Sequence, residues 1–241
     1  MKNILKSFLT WIIWLLSGLI VSILGLLISF MSGKKRYTNK FYFKIISVWQ
    51  NLLLKSTFIS ITVNGKNNLP KYPNNPAIFI ANHLSALDIP VLESLVGSYP
   101  HIWISKVSYG KIPIFGWLLN RMNVLIDKNS TEQSFKAFIK LYKISKDKDL
   151  HILLFPEGQR SEDGKLLPLK EGFLILSKKL NRPIIPIVIK GLDKVLPKKS
   201  CIINSNVPVD VYIGEPVLFD NDKTLEEQRN FVSDWYEKHL E

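Results

Sequence analysis

Acidic residues are missing from the first third of this sequence. Residues 1–87 carry ten Lys and Arg but no Asp or Glu, whereas residues 88–241 carry twenty-two basic and twenty acidic residues. The formal net charge of +12 therefore belongs to the N-terminal third of the 241 residues. A basic N-terminal arm is typical of proteins that bind nucleic acid or an anionic membrane surface, and the neighbouring residues decide between these partners.

Cysteine is almost absent as well. The single Cys201 excludes an intramolecular disulfide and a cysteine-built zinc site, and it fits a reducing compartment. Its apolar neighbours in SCIIN predict a buried side chain. The four histidines show no H-E-x-x-H or other metal-ligand spacing, so the sequence predicts no metal site.

A long apolar run occupies the N-terminus, where residues 7–33 contain no charged side chain. As a helix, residues 8–31 would be about 36 Å long, and a bilayer's hydrocarbon core is about 30 Å thick. The run is apolar on all sides, which favours a membrane helix over a cleaved signal peptide or a buried core helix. The basic residues that flank it are more numerous on its C-terminal side, which favours a cytoplasmic location for that side.

The next segment, residues 40–58, spaces aromatic and aliphatic residues as an amphipathic helix does. It predicts an interfacial helix or an ordinary helix packed on the domain. Together the two helices could form a hairpin in one leaflet instead of a full span. Anionic head groups account for the basic residues, and no nucleic-acid-binding signature accompanies them. We therefore expect a membrane-anchoring segment at 1–58 and a separate globular domain at 59–241.

From about residue 60 onward, short apolar runs alternate with helical segments. Runs such as AIFIA and ILLF are continuously apolar, which is typical of strands covered on both faces. The alternation predicts one α/β domain with a mixed, largely parallel sheet covered by helices. The predicted strands are 76–82, 101–105, 123–127, 151–156, 183–189 and 209–214, and the predicted helices lie near 86–97, 131–146, 169–181 and 223–240.

Polar clusters follow three of these strands, namely NHLSALD, DKNS and EGQRS. Sheets of this class carry their sites at the carboxyl ends of strands, so we expect one shared crevice.

His83 and Asp88 stand five positions apart in the first of these clusters. Ser85 and Asp88 fit a capping-box variant, so helix capping alone would explain the aspartate. If His83 lies in the turn and Asp88 in the first helical turn, Asp88 can accept a hydrogen bond from one imidazole nitrogen and leave the other as a general base. No G-x-S-x-G serine is present, so such a base would activate a hydroxyl of the substrate.

The turn after strand 151–156 carries Glu157, Gly158 and Arg160. Glycine lets the backbone approach a ligand, and arginine offers a forked donor to phosphate. The alternative is a surface turn in which Glu157 and Arg160 pair with each other. Lys106 and Lys128, which follow two other predicted strands, are further cationic candidates or solvated surface lysines.

NHLSALD at 82–88 resembles the N-H-x-x-x-x-D motif of the glycerolipid acyltransferases, and FPEGQRS at 155–161 resembles their F-P-E-G-T-R-S motif. The likeness spans roughly residues 40–220 and is strongest to the bacterial 1-acylglycerol-3-phosphate acyltransferases. One departure is Lys128, which stands where the family often has the arginine of I-D-R. Lysine keeps the charge but lacks the bidentate fork.

This resemblance implies an acyl transfer that uses no metal and no cofactor. His83 would deprotonate the sn-2 hydroxyl of lysophosphatidate, and Asp88 would orient His83. The hydroxyl would attack the thioester of acyl-CoA or acyl-carrier protein to give phosphatidate. The residues implied to bind the acceptor are Glu157, Gly158, Arg160, Lys128 and Lys106.

The same resemblance, with the apolar N-terminus, implies an enzyme on the inner membrane that contacts membrane lipids, with its catalytic domain on the cytoplasmic face. Other readings remain open: a different lysolipid or glycerol 3-phosphate as acceptor, a hydrolase, or a non-catalytic lipid-binding protein.

Overall fold

The computed structural model describes residues 2–70, 75–161 and 164–240. Its helices are α1 (Lys2–Ser29), α2 (Gly33–Tyr37), α3 (Lys40–Thr57), α4 (Asp88–Val96), α5 (Phe115–Met122), α6 (Thr131–Lys148), α7 (Gly172–Leu180), α8 (Leu192–Val195) and α9 (Leu225–Leu240). Its strands are β1 (Ile61–Asn64), β2 (Ile78–Ala81), β3 (His101–Lys106), β4 (Val124–Ile126), β5 (His151–Leu154), β6 (Ile184–Lys190) and β7 (Val209–Ile213).

The strands form one sheet in the order β1-β7-β6-β2-β5-β3-β4. All neighbouring strands are parallel except β6 and β7. The strands β6, β2, β5, β3 and β4 therefore share one direction, and their carboxyl ends lie along the same edge. This confirms the predicted mixed, largely parallel sheet.

The central strands are buried on both faces because their alternate residues enter two different cores. Phe79 and Leu153 contribute to one cluster, together with residues of α4, β6 and β7. Ile78 and Ile152 contribute to the opposite cluster, together with residues of α6, α7 and α9. The continuously apolar runs seen in the sequence are the consequence of this two-sided cover.

The main differences from the predicted elements lie at the sheet's edge and in the turns. Strand β1 was not predicted, because it has only four residues and is half exposed at the edge of the sheet beside β7. Helix α5 was not predicted either, because Gly110, Pro113 and Gly116 obscure its pattern. Helix α7 begins at Gly172, later than expected, because residues 165–170, which include Pro168, form no regular element.

Helix α3 packs its inner face, including Phe43 and Leu54, against the domain and against α1. Side-chain hydrogen bonds join the pair at two places. Thr10 Oγ1 donates to the Ser56 carbonyl at 2.7 Å and Trp14 Nε1 to Ser56 Oγ at 3.0 Å. Further along, Trp49 Nε1 donates to Ser17 Oγ at 3.0 Å. The predicted segment 40–58 is thus a helix packed on the domain.

Helix α1 is long and apolar enough to cross a membrane, and most of it is not buried inside the protein. It is nevertheless attached to the domain near both of its ends. Near its start, the Ile203 backbone N–H donates to Ser7 Oγ at 2.8 Å. At its end, the Arg121 guanidinium donates to the Ser29 carbonyl at 2.9 and 3.2 Å. The helix therefore lies along the domain with its apolar outer face uncovered.

Candidate active site

The turn after β2 holds His83, and the preceding residue fixes where that turn begins. The Asn82 side chain is buried, and it donates to the Ile189 carbonyl at 2.9 Å and accepts from the Ile189 N–H at 2.7 Å. This pair of bonds ties the carboxyl end of β2 to that of β6. The backbone that carries His83 is thus held by a neighbouring strand.

His83 and Asp88 meet in this turn, as the spacing predicted. His83 Nδ1 lies 2.7 Å from Asp88 Oδ2. The same oxygen accepts the backbone N–H groups of Leu84 and Ser85 at 2.7 and 2.8 Å. One fully buried carboxylate oxygen therefore gathers three donors and bends the chain so that the imidazole folds back over the start of α4.

The capping interpretation needs correction in one respect. Helix α4 begins at Asp88 itself, after Leu87, so Asp88 is its first residue and not its third. The two bonds of the capping box are nevertheless present: Asp88 Oδ2 accepts the Ser85 N–H at 2.8 Å, and Ser85 Oγ accepts the Leu87 N–H at 3.4 Å. The Ser85 hydroxyl also donates to the Leu196 carbonyl at 2.9 Å. Asp88 therefore stabilises the turn through the backbone N–H groups and also bonds to the imidazole.

The electrostatics of the pair suit a general base. Burial raises the pKa of Asp88 above its ordinary value, while the hydrogen bond from His83 and those from the two backbone N–H groups act in the opposite direction. A hydrogen bond from Nδ1–H to Asp88 leaves the lone pair on Nε2. Within the described ranges Nε2 has no hydrogen-bond partner, and the His83 side chain keeps 16% of its surface exposed. A substrate hydroxyl can therefore reach this nitrogen.

Phe155, which directly follows β5, lies face to face with His83. The ring centroids are 3.9 Å apart and the ring planes differ by 7°. An aromatic face packed this closely restricts rotation of the imidazole. Phe155 and Asp88 thus hold His83 from its face and its edge.

Glu157 occupies a position that its motif alone did not reveal. Its buried carboxylate accepts the backbone N–H of His83 through Oε1 at 2.7 Å and that of Leu167 through Oε2 at 2.8 Å. Burial raises the pKa of Glu157 to about 7. The surface pairing of Glu157 with Arg160 is therefore excluded. Because both oxygens are engaged by backbone donors, Glu157 positions the turn that carries His83, and its predicted contact with substrate stays a prediction.

The predicted cationic residues come to the same edge of the sheet. Lys106 ends β3, Lys128 follows β4, and Gly158 and Arg160 follow β5. Lys106 and Lys128 are exposed and Arg160 is half-buried, and none of them pairs with an acidic side chain of the described residues. This edge of the sheet thus carries a histidine–aspartate pair and several positive charges.

Sequence reasoning missed the roles of Asn82 and Phe155, although both stand within the quoted motifs, because their partners are remote in sequence. It also missed Lys170, whose backbone N–H donates to the Pro156 carbonyl in the turn after β5. The prediction that Cys201 is buried is wrong: the side chain is exposed, and its carbonyl accepts Trp11 Nε1–H at 2.7 Å.

Comparisons with known proteins all find acyltransferases. The family model described as Acyltransferase matches residues 60–190. The chloroplastic 1-acyl-sn-glycerol-3-phosphate acyltransferase BAT2 of Brassica napus is 33% identical over 204 residues, which cover 83% of this chain and 57% of that protein. The 1-acyl-sn-glycerol-3-phosphate acyltransferase of Helicobacter pylori is 29% identical over 145 residues, which cover 60% of this chain and 61% of that protein. The chain thus spans little more than half the length of these relatives.

A solved structure of an acyltransferase is similar to this chain over its whole length. The crystal structure of the 1-acyl-sn-glycerophosphate (LPA) acyltransferase PlsC from Thermotoga maritima superimposes with a TM-score of 0.78 at 25% sequence identity. The superposition covers 100% of this chain and 97% of that one. The likeness includes the N-terminal helices as well as the sheet.

Proposed function

Because the chain belongs to the acyltransferase family, we propose that it transfers an acyl group to the sn-2 hydroxyl of 1-acylglycerol 3-phosphate and forms phosphatidate. The observation that carries the proposal is the His83–Asp88 pair, with its 2.7 Å contact and its open Nε2. The names of the related proteins support lysophosphatidate as the acceptor.

The chemistry follows from the geometry of the pair. His83 Nε2 accepts the proton of the substrate hydroxyl as its oxygen forms a bond to the thioester carbonyl carbon. Asp88 stabilises the imidazolium that results. The tetrahedral intermediate then collapses, the carbon–sulfur bond breaks, and the imidazolium returns its proton to the departing thiolate. A thioester is already activated, so this sequence needs neither a metal nor a cofactor.

The donor in this proposal is acyl-CoA or acyl-carrier protein, both of which present a thioester. The enzyme works on the cytoplasmic face of the cell membrane, where the uncovered side of α1 and the basic N-terminal third contact lipid. A lysolipid acceptor and a phosphatidate product both reside in that lipid, so a membrane-bound site meets its substrate without extraction.

The test is phosphatidate formation by the detergent-purified protein, with lysophosphatidate and each donor in turn. His83→Ala should lower kcat at least about 100-fold, since general-base catalysis contributes that order of rate. His239→Ala is the matched control. His239 lies near the end of α9, beside a cavity of about 720 Å³ at the carboxyl ends of β1 and β7, which face the opposite edge of the sheet. This variant should retain full activity.

Circular dichroism must show that His83→Ala is folded. A folded His83→Ala protein with wild-type activity would exclude His83 as the base. Wild-type protein that acylates glycerol 3-phosphate and not lysophosphatidate would overturn the proposed acceptor but keep the mechanism. Wild-type protein inactive with both acceptors and both donors would refute the proposal.

A further inference from the structure

Lys170 lies beside the active-site turn although it belongs to neither quoted motif. Its backbone N–H donates to the Pro156 carbonyl at 3.0 Å, which fixes residue 170 against the turn that follows β5. A Cβ built on Gly158 would lie 3.3 Å from both Nζ and Cε of Lys170. The ammonium group is therefore positioned directly against the glycine of the F-P-E-G motif.

The backbone at Gly158 requires the absence of a side chain in two ways. Its φ is +73°, a conformation that glycine adopts without strain. The missing Cβ also makes room for the Lys170 side chain, whose Nζ, Cε and Cδ atoms lie within 3.6 Å of where a Cβ would be. A glycine at this position therefore lets a positive charge lie directly against the turn.

Lys106 and Lys128 lie at the same edge of the sheet, at the ends of the neighbouring strands β3 and β4. Lys106 pairs in register with Ile126 of β4, and Lys128 stands two residues beyond that partner. Strand β5, which leads to Gly158, lies on the other side of β3. Desolvation lowers the pKa of Lys128, and the charges of Lys170 and Lys106 lower it further. The Lys128 ammonium therefore lies within electrostatic range of the other two.

The three lysines have no acidic partner among residues 2–70, 75–161 and 164–240. Like charges gathered without a counter-charge repel one another, and an anion bound among them removes that cost. A phosphate monoester carries a charge of about −1.5 to −2 at neutral pH. A zwitterionic head group, with one phosphate charge cancelled by its own cation, would leave the repulsion largely in place.

We propose that Lys170 is a phosphate-binding residue of the acceptor site, and that with Lys106 and Lys128 it selects a dianionic phosphate monoester over a zwitterionic lysolipid. The inference deepens the proposed acyl transfer and rests on it for the identity of the acceptor. It places a positive charge against Gly158 from a side chain fifteen positions after Phe155, outside the turn itself.

The experiment compares Lys170→Met, Lys170→Arg and the control Lys179→Met, which replaces an exposed lysine on α7. A charge-assisted hydrogen bond of typical strength corresponds to roughly a tenfold change in binding. Lys170→Met should therefore raise KM for lysophosphatidate about tenfold and leave kcat within about twofold of wild type. Lys170→Arg and Lys179→Met should stay close to wild type.

Binding of two soluble head groups, measured by phosphorus NMR, makes the test independent of acyl transfer. Lys170→Met should bind glycerol 3-phosphate about tenfold more weakly than wild type and should bind glycerophosphocholine no differently. A folded Lys170→Met protein that binds glycerol 3-phosphate as wild type does, or a wild type that does not bind it, would overturn the inference. Lys170-dependent binding in a protein that never acylates lysophosphatidate would keep the inference and refute only the proposed function.

Discussion

At the residue scale, two buried carboxylates position His83. Asp88 Oδ2 serves the imidazole and two backbone N–H groups, whereas Asp88 Oδ1 is buried and has no hydrogen-bond partner among the described residues. Glu157 in turn ties the His83 backbone to Leu167. The base is therefore held through its ring by one acid and through its main chain by another.

Glu157 makes the stability of this site depend on pH. Its folded-state pKa is about 7, above the ordinary value of 4.5. The folded state therefore binds more protons than the unfolded state between these two pH values. The stabilising contribution of protonated Glu157 is complete below the lower value and is lost as the pH rises through the upper one. We expect the free energy of unfolding of wild type to fall relative to Glu157→Gln between about pH 5 and pH 7.5, with a slope of up to about 1.4 kcal/mol per pH unit.

Chemical denaturation in detergent at several pH values measures this difference. Subtracting the Glu157→Gln curve removes the contribution of the histidines, which titrate in the same range. Glutamine supplies one acceptor where Glu157 uses two, so a constant loss of stability in the variant is also expected. Parallel curves across the range would contradict the raised pKa.

At the scale of elements, α1 is held to the domain by close packing as well as by hydrogen bonds. A Cβ on Gly25 of α1 would lie 2.6 Å from Leu118 Cδ2 of α5, and Leu118 is buried. A Cβ on Gly18, two turns earlier, would meet Trp49 of α3 at an ordinary 3.4 Å. The first glycine is required by the contact between α1 and α5, and the second is not.

Gly25→Ala and Gly18→Ala therefore form a matched pair. Alanine favours a helix over glycine by up to about 1 kcal/mol at either site, but overpacking at Gly25 costs about 1–3 kcal/mol. We expect Gly18→Ala to be neutral or stabilising and Gly25→Ala to be the less stable of the two. Thermal unfolding in detergent compares them, and equal midpoints would show that α5 does not press against α1.

At the scale of the whole molecule, the attachment of α1 decides how the protein meets a membrane. The helix has 28 residues and is about 42 Å long, yet it bonds to residue 203 near one end and to Arg121 at the other. A helix that crossed a bilayer would carry one end about 30 Å away from a domain on the other side. With both ends on the domain, α1 cannot span a bilayer in this arrangement, and we expect it to lie in one leaflet of the membrane.

Labelling distinguishes these orientations. In a Cys201→Ser background, which removes the one native thiol, single cysteines at Asn3 and Ser32 would mark the two ends of α1. A membrane-impermeant maleimide should modify both in inverted membrane vesicles and neither in intact cells, because the proposed location puts both ends on the cytoplasmic side. Modification of one position in each preparation would instead show a spanning helix.

Much of this architecture could be predicted from the sequence, since it depends on neighbours in the chain. The buried strands, the apolar α1 and the approach of His83 to Asp88 follow from local pattern and short spacing. The partners of Glu157 could not be found in this way. His83 lies 74 positions before it and Leu167 ten positions after it, and only the packed turn brings both N–H groups to its carboxylate.

The sequence by itself determined the class of the protein: an α/β sheet buried on both faces, an apolar basic-flanked N-terminus, and a histidine–aspartate turn beside an arginine-bearing turn. The tertiary structure alone decided that α1 lies along the domain, that Glu157 holds the catalytic turn, and that Lys170 faces Gly158. The reason is physical. Periodicity and spacing act over a few residues, whereas these three arrangements join segments whose meeting depends on how the sheet is ordered and how its turns pack.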